Sequence, residues 1–393
     1  MPSLFLVTFV SVLGFGLIIP LLPFYIERFG GSPEIITLIV ALHSLMQFIA
    51  APVIGRLSDR YGRRSVLAWT TLGTVAAHIL LGIADSLWLV IVSRCLAGAM
   101  AANLGVTFAY ASDITTTEQR PKAMGILSAA FSLGFMVGPG IGGLLAGTEV
   151  QSANFALPAF AAAGLGLIAW ICVLLFLPES MRPEDRLTHH DAPQVGLARQ
   201  LQITLRVRTL MLIGAAAFLL YMAWTIFLAI FALWANRVLG SGPSEIGFLY
   251  MFSGLVGVVA QFTLIGLLAK RIGEMNVVLL TVLAMGIGLV VMASATTMIA
   301  TVVALTFMSA AHSVFTPIVT SIVSKETTPR DRGVVLGVFQ AIGSLGRVAG
   351  PVFSGVAFAQ LGYSSPFLIG AVIMLPCLVF ALRARGPQNV TAD

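Results

Sequence analysis

Five side chains that carry charge, or titrate near neutral pH, lie inside otherwise apolar runs: His43, His78, Arg94, His312 and Arg347. An imidazole changes charge near pH 7, so an intramembrane histidine can carry a proton or can be an ordinary hydrogen-bonded core group. Thr74, Ser309 and Ser313 put polar neighbours near His78 and His312, which places these two slightly ahead of His43. An arginine in hydrocarbon is costly unless it is paired or faces water. Arg94 is therefore either functional or a tie to helix carbonyls in its own half. Arg347 facing a cavity would favour an anionic substrate or a substrate carboxylate through charge-assisted hydrogen bonds. The alternative is a cation bonded to backbone or snorkelling towards an interface.

A second concentration of charge is Gly55-Arg56-Leu57-Ser58-Asp59-Arg60-Tyr61-Gly62-Arg63-Arg64. Four arginines beside apolar helices read as a cytoplasmic turn, and the two glycines permit a tight turn and close helix approach. Asp59 needs a separate reason, because aspartate contributes little to orientation. Enzymatic chemistry has little support: no phosphate-binding loop, nucleophile–base pair or metal spacing is visible. His189, His190 and Asp191 lie in a polar stretch and read as solvated linker, not as a ligand set.

The elements that position these groups follow from composition. The chain has 393 residues, of which 58% are hydrophobic and 10% charged, and its mean hydropathy is +0.99. Apolar character throughout such a length fits the bilayer as solvent, at roughly 20 residues per helical span. Breaks at charged, Pro or Gly-rich points place spans near 4–26, 35–56, 65–84, 86–112, 122–147, 154–177, 209–237, 245–269, 275–293, 297–324, 333–359 and 364–383. The expectation is an all-α integral membrane protein of about twelve transmembrane helices. The polar stretch 178–208 divides a six-helix bundle at 1–177 from one at 209–393 and reads as a cytoplasmic linker. The first span is read as retained, without a cleavage site. Cys95, Cys172 and Cys377 lie in apolar runs and suggest no disulfide framework.

With the N-terminus inside, 18 of the 22 Lys and Arg fall in cytoplasmic segments, two (Arg28 and Arg237) in outer loops and two (Arg94 and Arg347) in spans. That bias places both termini in the cytoplasm. The net charge of +6 fits an anionic inner leaflet better than nucleic acid. The halves also repeat. Gly125, Gly134, Gly138 and Pro139 recur as Gly337, Gly346, Gly350 and Pro351 at an offset of 212. Asp59 has Lys270 as its counterpart at an offset of 211. Pseudo-symmetric halves place a substrate site between them near the midplane and alternate its access by rocking. Phe24, Tyr25, Tyr110, Phe131, Tyr221, Trp224, Phe227, Phe231, Phe252 and Gln261 are cavity candidates by span position. Such aromatic surfaces suit lipophilic substrates, although membrane aromatics also pack or face lipid. Gly134, Gly138 and Gly142 share one helix face, which allows close packing.

Several stretches resemble the major facilitator superfamily, most closely its twelve-span drug:proton antiporter branch, which includes tetracycline exporters. Gly14-Phe15-Gly16-Leu17-Ile18-Ile19-Pro20-Leu21-Leu22-Pro23 is similar to that branch's first-span signature. Gly55 to Arg64 resembles the superfamily loop, Ser93-Arg94-Cys95-Leu96-Ala97-Gly98 the fourth-span signature, and Gly134-Phe135-Met136-Val137-Gly138-Pro139-Gly140-Ile141-Gly142-Gly143 the antiporter fifth span. The resemblance covers nearly the whole chain. It implies two pseudo-symmetric six-helix bundles and a cytoplasmic gate of Asp59, Arg60, Gly62, Arg63, Asp113 and Arg332. It also implies proton coupling at Arg94 and an antiporter helix carrying Gly134, Gly138, Pro139, Gly142 and Gly143. Where tetracycline exporters carry carboxylates in spans one, three and nine, this chain has Ser11, Ala77 and Met285. His43, His78 and His312 then become the proton-carrying candidates.

The expected function is proton-coupled antiport of lipophilic small molecules or drugs by alternating access. Two alternatives are export of an anionic or sugar-like metabolite, and a non-transporting membrane sensor or scaffold on the same fold. The expected energy source is the proton gradient, with no cofactor and no metal. The expected partners are a small-molecule substrate, protons and the lipid bilayer, for a functional monomer in the inner or plasma membrane.

Overall fold

A computed structural model of the chain describes residues 1–116, 118–180, 206–328 and 332–385. Every regular element among them is an α-helix: α1 Pro2–Ile18, α2 Leu22–Arg28, α3 Pro33–Tyr61, α4 Arg63–Gly82, α5 Leu87–Met100, α6 Asn103–Asp113, α7 Arg120–Ala146, α8 Ala156–Phe176, α9 Arg208–Leu239, α10 Pro243–Ile272, α11 Glu274–Ser294, α12 Met298–Lys325, α13 Arg332–Leu361 and α14 Ser365–Ala384. Eleven spans are long and apolar enough to cross a bilayer, with α5 and α6 counted together; the bent pair α1–α2 makes a twelfth. Large apolar side chains lie on the outside, with Trp69 73% exposed and Ile299 79% exposed, which suits a lipid solvent and not water. The fold is that of an all-α, multi-pass membrane protein.

Local chemistry explains the helix ends. Ser32 is extended at the N-cap of α3, Pro33 occupies its first turn where a missing N–H is harmless, and Glu34 follows. Gly62 ends α3 and opens α4 with φ +96°, a conformation that favours glycine. This is the sharp turn of the charged loop. Gly55 has a different setting from the one expected: it lies inside α3, and a methyl group added there would meet nothing within 4 Å. The turn therefore rests on Gly62 alone.

Two predicted spans are interrupted. The first bends by 42° between α1 and α2, where Pro20 and Pro23 each remove a backbone donor. There Leu21 N–H donates to the Ile18 carbonyl at 3.1 Å, a tighter i−3 bond. The fourth breaks between α5 and α6, and the Gln47 amide donates to the Ala101 carbonyl at 3.2 Å. A side chain thus satisfies a backbone group at the interruption.

The described residues fall into two compact units, one within Met1–Pro193 plus Ala232–Leu255, the other within Gln194–Phe231 plus Val256–Asp393. Both α9 and α10 contribute to each. The expected linker, including His189, His190 and Asp191, lies largely outside the described residues. In the first unit α1 packs on α7 and α8, and α4 on α8 and α5. In the second, α11 packs on α12 and α14.

The internal repeat extends to contacts. A methyl group added at Gly134 would lie 2.9 Å from the Phe9 carbonyl oxygen, and one at Gly138 2.8 Å from that of Leu13. In the second unit the same test puts Gly346 2.6 Å from the Phe218 carbonyl oxygen and Gly350 2.5 Å from that of Met222. The glycines are offset by 212 residues and the carbonyls they meet by 209. Each half brings two helix backbones together through the same pair of glycines.

Candidate functional site

Three polar clusters and one glycine-faced helix hold most of the predicted site residues. The first cluster lies at the turn after α3. The Arg63 guanidinium reaches Asp59 Oδ1 at 2.6 Å and Asp113 Oδ2 at 3.2 Å. It also donates to Ser58 Oγ at 2.9 Å. Its backbone N–H, at the start of α4, donates to Glu179 Oε1 at 2.8 Å, so a carboxylate caps an orphan donor at a helix N-terminus. Ser180 Oγ completes the group by donating to Asp113 Oδ2 at 3.1 Å. Asp59, Arg63 and Asp113 are thus brought together with Gly62. Arg60 points elsewhere, with its guanidinium 5.3 Å from the centre of the Tyr61 ring. The side chain of Arg332 lies outside the described residues.

The second cluster is buried in the first unit, where α3, α4 and α5 meet. His43 Nδ1 is 3.3 Å from the Arg94 carbonyl oxygen, and its ring stacks on Phe15 with centroids 5.4 Å apart. Arg94 is only 2% exposed. Its Nε donates to Ser93 Oγ at 3.3 Å, while Nη2 is buried without a hydrogen-bond partner. His78 is 1% exposed, and neither of its ring nitrogens has a hydrogen-bond partner. The Ala162 backbone, Arg94 and His43 lie around it. Buried polar groups are rarely left unbonded, so three open nitrogens in one region mark a place where a proton or a water can be held.

The third cluster belongs to the second unit and joins α9, α12 and α13. His312 stacks on Trp224 with centroids 4.2 Å apart and planes 11° from parallel. Tyr221 meets the edge of His312 at 5.9 Å, and its hydroxyl shares a 3.0 Å hydrogen bond with Thr316 Oγ1. The Arg347 guanidinium lies 5.7 Å from the centre of the Tyr221 ring and donates to Ser344 Oγ at 2.7 Å. Phe227, fully buried, packs against Trp224 with centroids 5.2 Å apart.

On α7, Gly134, Gly138 and Gly142 face the α1 backbone, and a methyl at Gly142 would run into the Leu17 carbonyl. Pro139 lies within the same helix. Gly143 faces Pro243 and Ser244, and Ser244 Oγ donates to the Gly143 carbonyl at 3.0 Å.

The remaining cavity candidates lie apart from these clusters. Tyr25 is 6% exposed, and its hydroxyl donates to the carbonyls of Leu81 at 2.7 Å and Ala84 at 3.2 Å. Tyr110 packs among Leu4, Val106 and Val173, with its hydroxyl on the Pro178 carbonyl at 2.7 Å. Phe131 is 37% exposed and stacks on Phe135 at 6.3 Å. Phe252 and Gln261 are half-buried on α10, on opposite sides of the boundary between the two units. Sequence reasoning missed Gln47, Glu179, Thr316 and Ser344. Gln47 carried a signal, as a lone amide in an apolar run; the other three acquire meaning only from their partners.

A helical bundle of this kind, with buried basic groups and no assembled nucleophile among the described residues, is a membrane transporter and not an enzyme. A family model described as Major Facilitator Superfamily matches residues 4–262 and 213–392, and the chain belongs to that superfamily. It is 29% identical over 388 residues to Multidrug resistance protein 2 of Bacillus subtilis (strain 168), covering 98% of this chain and 94% of the relative. It is 28% identical over 410 residues to the class B Tetracycline resistance protein of Escherichia coli, covering 98% and 97%. Among solved structures, the human organic anion transporter MFSD10 (TETRAN) superposes with a TM-score of 0.72 at 22% identity, covering 97% of this chain and 98% of that one. The nucleoside transporter NupG gives 0.81 at 14% identity, over 97% and 98%.

Proposed function

We infer that this transporter exports lipophilic small molecules in exchange for protons, by alternating access between its two halves. The observation that carries the reading is the buried group of His43, His78 and Arg94. It holds titratable and cationic side chains together inside the first unit, with ring nitrogens and a guanidinium nitrogen open to a proton or a water. Similarity to multidrug and tetracycline resistance proteins supports export of drug-like substrates.

In this reading the proton gradient is the energy source, and imidazole takes the place of the span carboxylates of tetracycline exporters. Asp59, Arg63 and Asp113 latch the cytoplasmic side, with Arg60 and Arg332 at the same face. The glycines of α7, with Pro139, let α7 and α1 move as a closely packed pair. The protein works as a monomer in the cell membrane with both termini in the cytoplasm. The test is efflux of a lipophilic dye from proteoliposomes across an imposed pH gradient. Export that follows the gradient in the wild type and loses that dependence in Arg94→Ala supports the reading. Export indifferent to the gradient in the wild type contradicts it.

A further inference from the structure

We propose that Arg347, with Tyr221, Trp224 and His312, forms a binding site for an aromatic carboxylate, which makes organic anions a substrate class of this transporter. The proposal rests on the transport reading above and adds the chemistry of the cargo.

The argument begins with charge. Arg347 lies within α13, and α9, α12 and α13 contain no Asp or Glu at all. Among the described residues no carboxylate is paired with it. A guanidinium carries five N–H donors in a planar fork, and the bond to Ser344 uses one. The fork is left able to take a carboxylate through two parallel charge-assisted bonds. Within a membrane protein such a pairing would offset the cost of an otherwise uncompensated charge.

The surroundings set the rest of the ligand. Gly343 leaves the space that the ring and the guanidinium share: a methyl there would lie 3.1 Å from the Tyr221 ring and 3.5 Å from Arg347 Nη1. Gly346 and Gly350 hold α13 against the α9 backbone and so fix where Arg347 emerges. From the guanidinium, aromatic surface runs through Tyr221 to His312 and Trp224, and all four residues are half-buried, not sealed in the core. Flat aromatic walls beside a fixed cation match a flat aromatic body bearing an anionic group.

The experiment is equilibrium binding of naphthoate, and of its uncharged isostere naphthamide, to the purified full-length protein by calorimetry. The wild type should bind naphthoate about tenfold or more tightly than naphthamide, as charge-assisted hydrogen bonds imply. Arg347→Gln should erase that preference, and Arg347→Lys, a point charge without the fork, should keep only part of it. Equal binding of the two ligands by the wild type, failure of both to bind, or an unchanged preference in either variant would overturn the proposal. The wild-type comparison stands even where a variant does not fold. Naphthoate preference without proton-coupled export would leave this site intact and remove the coupling reading. Coupled export of lipophilic cations without that preference would do the reverse.

Discussion

His43 Nδ1 stands 3.3 Å from the main-chain carbonyl oxygen of Arg94. The imidazole on α3 is thus partnered by the backbone of α5, and the guanidinium of the same arginine retains an unbonded Nη2. The approach that brings them together depends on Gly98, one turn further along α5, where a methyl group would run into the His43 carbonyl.

Gly98→Ala should therefore destabilise the protein, since overpacking a closed contact costs about 1–3 kcal/mol. Gly55→Ala, with nothing within 4 Å, should be neutral or slightly stabilising because alanine is the better helix former. Thermal unfolding of the two purified variants in the same detergent checks the contrast. Equal melting temperatures would mean that α3 and α5 do not pack as described.

Arg94→Ala should separate substrate movement from proton movement while leaving the protein folded. It removes a buried charge whose guanidinium bonds only as far as the adjacent Ser93 hydroxyl and keeps one nitrogen unbonded. Facilitated equilibration of substrate should persist, and accumulation against a gradient should be lost. A variant that still accumulates substrate with the wild-type pH dependence would take Arg94 out of the mechanism.

His78→Gln and His312→Gln preserve polarity but cannot change charge. If either imidazole carries the coupled proton, the pH profile of export should shift or flatten in that variant. Profiles of both variants that coincide with the wild type would assign the two histidines to packing.

Asp59→Asn should leave stability nearly unchanged and lower transport. The Asp59 side chain is 43% exposed, and exposed ion pairs contribute about 0–1 kcal/mol. Arg63 would keep Asp113 and Ser58 as partners, so the turn itself should survive. A melting temperature within error of the wild type, together with reduced efflux, is the expected pair of results. Unchanged efflux would leave the loop with a topological role alone.

Much of the fold was legible because a membrane simplifies the pattern. A run of about 20 apolar residues has few structural options in a bilayer, and the spans around α4, α8, α11 and α14 lie close to their predicted limits. The interruptions were less visible. Pro20 and Pro23 announced a disturbance in the first span, but the break at Ala101 depends on Gln47 from another helix. The rare polar side chains stood out against an apolar background, which is why His43, His78, Arg94, His312 and Arg347 could be singled out. Their partners could not, since stacking of Trp224 on His312 joins residues 88 positions apart. Aromatic residues were the least legible: Tyr25 and Tyr110 matched a cavity lining by span position, yet their hydroxyls bond backbone carbonyls inside the first unit.

The central claim, that export is driven by protons, is tested most directly with a pH-sensitive dye sealed inside proteoliposomes. Adding a transported lipophilic substrate to one side should drive protons in the opposite direction, giving a pH change that scales with substrate and disappears in Arg94→Ala. Substrate uptake with no accompanying pH change in the wild type would contradict the account.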